Sequence, residues 1–159
     1  MSKESEAKAI YGTIKQTMES LDWSYDSNDE QLFVATDVTG ESLSIRLGLT
    51  VAADRQIIYL RSPLPFVVKE ERRDVMAKAV CFANCVMLNG CFEFDQESGL
   101  IAFKVITPFM DSLISQAVCK YMILLSCRMV DDFSSKFLAL ATGDIDYEQF
   151  CEHTKKKFS

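Results

Sequence analysis

Between Leu43 and Ala52 the chain alternates without interruption. Leu43, Ile45, Leu47, Leu49 and Val51 take every second position, and Ser44, Arg46, Gly48, Thr50 and Ala52 fill the places between. Successive side chains of an extended strand point to opposite faces, so this segment has one apolar face and one that tolerates water. The fold must therefore contain a sheet with a single covered face. Neighbouring segments have the same character. Gln31 to Asp37 reads as a first strand, and Val38-Thr39-Gly40 turns it into the alternating one. Asp54-Arg55 then turns into a third strand over Gln56 to Ser62. Short turns between successive strands specify an antiparallel meander. Pro63-Leu64-Pro65 is expected to stop the sheet, because proline has no N–H for the ladder.

Helical spacing brackets these strands. Ala7, Ile10, Tyr11, Ile14, Met18 and Leu21 recur at three and four residues, predicting an amphipathic helix over Ser5 to Leu21. A polar turn from Asp26 to Glu30 follows it. A second helix is predicted from Lys69 to Asn89, with Glu70 and Glu71 in the first turn, where the dipole favours acids. Gly90 suits the left-handed position that ends it. A hairpin comes next, Cys91 to Asp95 and Leu100 to Ile106, joined by Gln96-Glu97-Ser98-Gly99. Thr107-Pro108 reads as a cap and first helical residue. The last long helix is expected to run from there to about Ala141, with Asp131-Asp132 as a candidate break and Gly143 as the stop. A short helix around Tyr147 to Thr154 closes the chain. Residues 1–143 are expected to form a single α+β domain, and 144–159 a helical tail.

The second helix changes character along its length. Its start is charged, whereas Cys81-Phe82-Ala83-Asn84-Cys85-Val86-Met87-Leu88 is apolar nearly all round. A helix apolar on every side needs cover on more than one side, from another helix or a second subunit. Phe82, Cys85, Val86 and Leu88 are accordingly expected to contribute to core and dimer surfaces. Asn84 is the polar exception and needs partners for its amide if buried. Arg46 and Thr50, on the outer face of the alternating strand, are candidates for contact with a partner.

Composition narrows the function. The 159 residues suit one domain, and 48% hydrophobic content supports a core. A formal net charge of −6 argues against nucleic acid and anionic membrane surfaces, which are bound by clustered Lys and Arg. No transmembrane run and no secretory leader is read, so a cytoplasmic protein is expected. Its six cysteines are then expected to be reduced and buried as small hydrophobes. Zinc could use Cys81, Cys85 and Cys91, but there is no CxxC pair and no nearby histidine. The chain's one histidine, His153, lies near the C-terminus, where a mobile tail is expected. Imidazole is the commonest general acid/base and metal ligand, so neither acid–base catalysis nor a metal centre is expected. Glu93 and Asp95 would share a strand face, as paired acids do, but solvated hairpin residues fit better. Asp144, Asp146 and Glu148 resemble the start of a calcium loop, yet Gln149 stands where its glycine belongs. No phosphate-binding glycine motif occurs. Trp23, Tyr25, Phe33, Phe66, Phe82, Phe109, Met110, Phe133 and Phe137 are the large apolar groups near element ends; core packing is expected for most of them, and an exposed or interface role for about one third.

The element order, helix, three strands, helix, two strands, helix, resembles the type III secretion chaperone-like fold. Within that fold the sequence is similar to the YbjN-like family of proposed bacterial sensory transduction regulators. The residues carrying the resemblance are Ser62-Pro63-Leu64-Pro65 and Glu71-Arg72-Arg73. Asn84, Asn89 to Asp95 and Ser98 to Phe103 carry the rest. It spans Ala7 to Gly143. It implies a non-enzymatic, often dimeric protein without a cofactor or catalytic residue, and a protein or peptide partner. The alternative is a sensor holding a small molecule or ion between sheet and helices.

Overall fold

The computed structural model describes residues 2–41 and 43–158. Its sheet has six antiparallel strands in the order β1-β2-β3-β4-β6-β5. These are β1 (Asp26–Asn28), β2 (Phe33–Thr39), β3 (Ser44–Ala52), β4 (Ile57–Val67), β5 (Cys91–Asp95) and β6 (Leu100–Pro108). The helices are α1 (Lys3–Ser20), α2 (Arg73–Val86, entered through a 3₁₀ turn at Glu70–Arg72), α3 (Gln116–Thr142) and α4 (Tyr147–Phe158). This is the α+β meander-plus-hairpin architecture that the alternation demanded, with a short strand added at its start.

The alternation in β3 sets the layering. Ile45, Leu47, Leu49 and Val51 are buried with Ile10, Ile14 and Met18 of α1 and Met122, Ile123 and Val130 of α3 in one hydrophobic core. Helices α1 and α3 pack on this face of the sheet, and α2 lies along β5. Under α3 the core becomes aromatic. Phe92 meets Phe103, Phe133 and Phe137 edge-on, each at a centroid distance of 5.1 Å. T-shaped geometry sets positive ring edges against negative ring faces.

Several expectations are corrected. Pro63 and Pro65 do not end the sheet; β4 continues to Val67. Beyond Arg61 it has lost its pairing with β3 and is bonded to β6 alone, with an irregular register between Pro63 and Val67. Proline is tolerated in such a one-sided segment. The expected polar turn at Asp26 contains β1, held in register by Asp26–Ala35 and Asn28–Phe33 pairing. Thr107-Pro108 does not open α3. These residues pair with Ile58 and Ile57 at the end of β6, and pairing overrides the local capping signal. The cap is Ser115, whose hydroxyl accepts from Val118 N–H. Helix α2 ends at Val86, before Asn89; Gly90 is left-handed (φ 73°) but leads into β5.

Nor does Asp131-Asp132 break α3. Both carboxylates are docking points. Asp131 accepts from the backbone N–H of Glu41 in the β2–β3 turn, at 3.2 and 3.3 Å. Asp132 receives Lys157 from α4. The expected mobile tail is a helix packed on α2 and α3, with Phe150 fully buried and His153 exposed. The residues that resemble a calcium loop serve a capping box. Asp146 Oδ1 accepts from Gln149 N–H (2.8 Å), and Gln149 Oε1 accepts from Asp146 N–H (2.9 Å).

Candidate partner-binding surfaces

The face of the sheet opposite the helices is open. The pairing register places its side chains in rows. Phe33, Thr50, Tyr59 and Ile106 stand side by side across β2, β3, β4 and β6. The next row is Ala35, Gly48, Arg61, Lys104 and Cys91. Gly48 lets the Phe33 ring approach, since a Cβ there would lie 3.2 Å from Phe33 Cε2. The first row is apolar yet reachable by solvent, with Ile106 47% exposed. Two shallow depressions flank Tyr59. One of about 260 Å³ is bounded by Phe33, Gly48, Arg61 and Pro63; one of about 560 Å³ by Thr50, Ile57, Lys104 and Ile106.

Charge borders the apolar row. Arg61 Nε donates to Glu93 Oε1 at 2.6 Å, and Lys104 Nζ lies 3.0 Å from the other oxygen. Burial pushes the Glu93 carboxyl up, but the bonds from Arg61 and Lys104 outweigh it and hold the group below the usual carboxylate range. Glu93 also raises Lys104, mainly through that hydrogen bond. Arg46 pairs with Asp37 at 3.4 Å, both well exposed. Glu93 is therefore the hub of an ion network rather than half of an acid pair. Asp95 turns away into the hairpin, bonded by Ser98 Oγ (2.6 Å) and Glu97 N–H (3.0 Å).

The six sequence-derived residues fall on two surfaces. Arg46 (exposed) and Thr50 (half-buried) lie on the open sheet face. The other four belong to the far side, at α2 and the loop after it. Phe82 and Val86 are half-buried against the core, and Lys155 Nζ of α4 stands 5.8 Å above the Phe82 ring. Cys85 and Leu88 are exposed. Beside Leu88, Asn89 Nδ2 reaches Tyr121 Oη at 3.5 Å, and α3 exposes Val118, Tyr121 and Leu124. Asn84 has the partners that it needed. Its Nδ2 donates to Phe92 C=O (2.9 Å), and its Oδ1 accepts from Phe92 N–H (2.8 Å). The amide thus stands in for a neighbouring strand along edge strand β5.

The cysteines are not uniformly buried. Cys119 is; Cys91, Cys127 and Cys151 are half-buried, and Cys81 and Cys85 are exposed. Cys81 and Cys85, four residues apart on α2, share one face of it, the solvent face. Sequence reading also missed Tyr59, Arg61, Lys104 and Ile106. Period-two alternation in their strands was the available signal, but only the register assembles them with Thr50.

The fold and its open face define a class. The chain has the type III secretion chaperone-like α+β fold, one face of its antiparallel sheet under helices and the other bare. A chain of the ExsC–ExsE complex superposes with a TM-score of 0.57 at 11% identity, covering 79% of this chain and 91% of that one. YbjN from E. coli, a proposed transcription regulator, superposes at 0.55 and 11% identity, covering 76% and 85%. No family model matches the sequence, and no curated protein matches it. Among the described residues no helix is long and apolar enough to cross a membrane.

Proposed function

We propose that this chain is a non-enzymatic protein-binding module, chaperone-like or regulatory, acting as a cytoplasmic homodimer. A protein partner lies as an extended segment along the open sheet face. The observation carrying this reading is the Phe33–Thr50–Tyr59–Ile106 row, half-buried at its first three residues and exposed at Ile106, with Arg46, Arg61 and Lys104 at its border. Aromatic and aliphatic side chains supply the area for such contacts, and arginine fixes orientation. The fold neighbour crystallised as the ExsC–ExsE complex supports a protein partner. Core side chains such as Leu47, Leu60 and Val105 fill the layer between sheet and helices, where the sensor reading placed its ligand. The homodimer reading rests on exposed Leu88 and Cys85 and on the neighbouring Tyr121 and Leu124.

Native mass spectrometry of the untagged protein from its own host tests both parts. A dimer carrying an additional polypeptide is expected. Ile106→Asp and Arg46→Glu should lose the polypeptide and keep the dimer; Leu88→Asp should give a folded monomer. Retention of the polypeptide by both sheet variants would move the partner off this face.

A further inference from the structure

The depressions of the open sheet face are linked to one another. Beside the two that flank Tyr59 lies a third, of about 240 Å³, bounded by Tyr25, Asp26, Asp37 and Arg46. It shares Ala35 and Arg46 with the depression at Gly48, which in turn shares Thr50 and Tyr59 with the one at Ile106. Together they cross the sheet obliquely, from β1 towards β6. An extended segment laid on this path turns every second side chain down into it.

Charge is unevenly matched along the path. At the β1 end Arg46 is paired with Asp37, and Asp26 lines the same depression. At the far end Arg55 stands 3.9 Å from Asp54. Between them Arg61 and Lys104, cross-strand neighbours on β4 and β6, share the one carboxylate of Glu93. Two cations against one carboxylate leave a positive charge uncompensated beside Tyr59 and Ile106. Arg61 also keeps donors to give. Its side chain is 42% exposed, and among the described residues only its Nε is hydrogen-bonded, to Glu93. Arg61 lines the depression at Gly48, and Lys104 lines the one at Ile106.

We propose that the segment seated on this face is acidic and apolar: a carboxylate of the partner pairs with Arg61 and Lys104, and bulky apolar side chains beside it fill the depressions that flank Tyr59. Charge complementarity identifies the occupant. A guanidinium takes a carboxylate through parallel N–H donors, and the Lys104 ammonium adds a point charge next to it. The chain as a whole carries a net −6, which disfavours an acidic segment elsewhere on its surface. The cation pair therefore selects the partner and fixes where it sits. Glu93 sets the strength of that attraction, because it neutralises part of the charge that the partner meets. This inference rests on the open-face reading above and adds to it the chemistry of the partner.

A phage-displayed library of random linear peptides, selected against the full chain, tests it. The binders should carry several-fold more Asp and Glu than Lys and Arg, set among bulky apolar residues. The tightest of them, made synthetically, should weaken several-fold when its acids are replaced by amides, and equally on Arg61→Gln/Lys104→Gln. It should bind Glu93→Gln several-fold more tightly than wild type, a gain that a damaged fold does not produce. Binders without an acidic excess that are lost on Ile106→Asp would overturn the acid pairing and leave the open-face reading standing. Binders that keep their affinity for Ile106→Asp and for the double variant alike would overturn both, as would a library from which nothing binds.

Discussion

The two faces of β3 are made by the same nine residues of backbone and have opposite duties. On one, Ile45, Leu47 and Leu49 are no more than 1% exposed beneath α1 and α3. On the other, Arg46 is exposed, and Thr50 and Ala52 are half-buried with no helix above them. Neighbouring residues along the strand therefore differ in what their replacement can disturb. Stability is concentrated on the covered face, and the open face is left to contacts. The largest expected effect follows directly. Leu47→Ala should cost about 2–5 kcal/mol, because it removes buried methyl groups and leaves a cavity. Thr50→Ala should stay within about 0.5 kcal/mol. Urea unfolding measures both, and equal losses would erase the distinction between the faces.

The covered side can also be probed by alkali. Burial pushes the Cys119 thiol from near 9 up to about 11. The folded chain then holds this proton to higher pH than the unfolded chain. The stabilisation is fully present below about pH 9 and is lost as pH rises through about 11. A two-unit shift corresponds to roughly 3 kcal/mol at most, at about 1.4 kcal/mol per unit. Denaturation midpoints measured from pH 8 to 11 should fall, and Cys119→Ala should flatten the fall. An unchanged slope in that variant would place the alkaline sensitivity elsewhere. The half-buried Cys127, also pushed up to about 11 by burial, is the next group to replace.

How much of this was legible in the sequence varied with the range of the signal. Period-two alternation in β3 and the apolar spacing of α1 are local, and they fixed the layer order. Pro63 and Pro65 misled, because whether a strand tolerates proline depends on which neighbour it still pairs with, and that partner, β6, lies some forty residues further on. Thr107-Pro108 misled for the same reason: a good helix start was overruled by pairing with Ile57 and Ile58. Of the surface candidates, Arg46 and Thr50 followed from alternation alone, but Tyr59, Arg61, Lys104 and Ile106 joined them only through register. The apolar half of α2 was read correctly as needing a second cover. Nothing local in sequence says that α4 provides it.

The two outer strands of the sheet sharpen the comparison at intermediate cost. At one end β1 is only three residues long, a short edge that offers little to an added strand. At the other end, the outward backbone groups of Phe92 in β5 are bonded to the Asn84 side chain. Asn84→Ala should lose roughly 1–2 kcal/mol, since it strips partners from two backbone groups. It should also bare β5 to edge-to-edge pairing, seen as larger species in sedimentation velocity that grow with concentration. Asn84→Asp keeps one acceptor for Phe92 N–H and should fall between. A fully monomeric Asn84→Ala chain with wild-type stability would show that water replaces the amide and that the edge is protected by other means.

The smallest expected stability change carries the most information about binding. Glu93→Gln removes the carboxylate shared by Arg61 and Lys104. Those side chains are 28–42% exposed, and surface ion pairs contribute little, so the loss at neutral pH should be no more than about 1 kcal/mol. Its sign with pH is fixed. The folded Glu93 carboxyl sits below its ordinary range, so the pair's contribution is present above the unfolded carboxylate value. It is lost as pH falls through the folded one. The difference between wild type and Glu93→Gln should therefore shrink to nothing in acid. Partner binding should respond in the opposite proportion. Freeing two cations beside the Phe33–Ile106 row raises the local positive charge, so affinity should change several-fold and depend more steeply on salt, with the fold scarcely altered. Leu47→Ala, tested at a temperature where it remains folded, should do the reverse and leave affinity nearly unchanged. If Glu93→Gln moves neither quantity while Leu47→Ala moves both, the open face is not the contact surface, and the division of labour across β3 fails where it was meant to explain function.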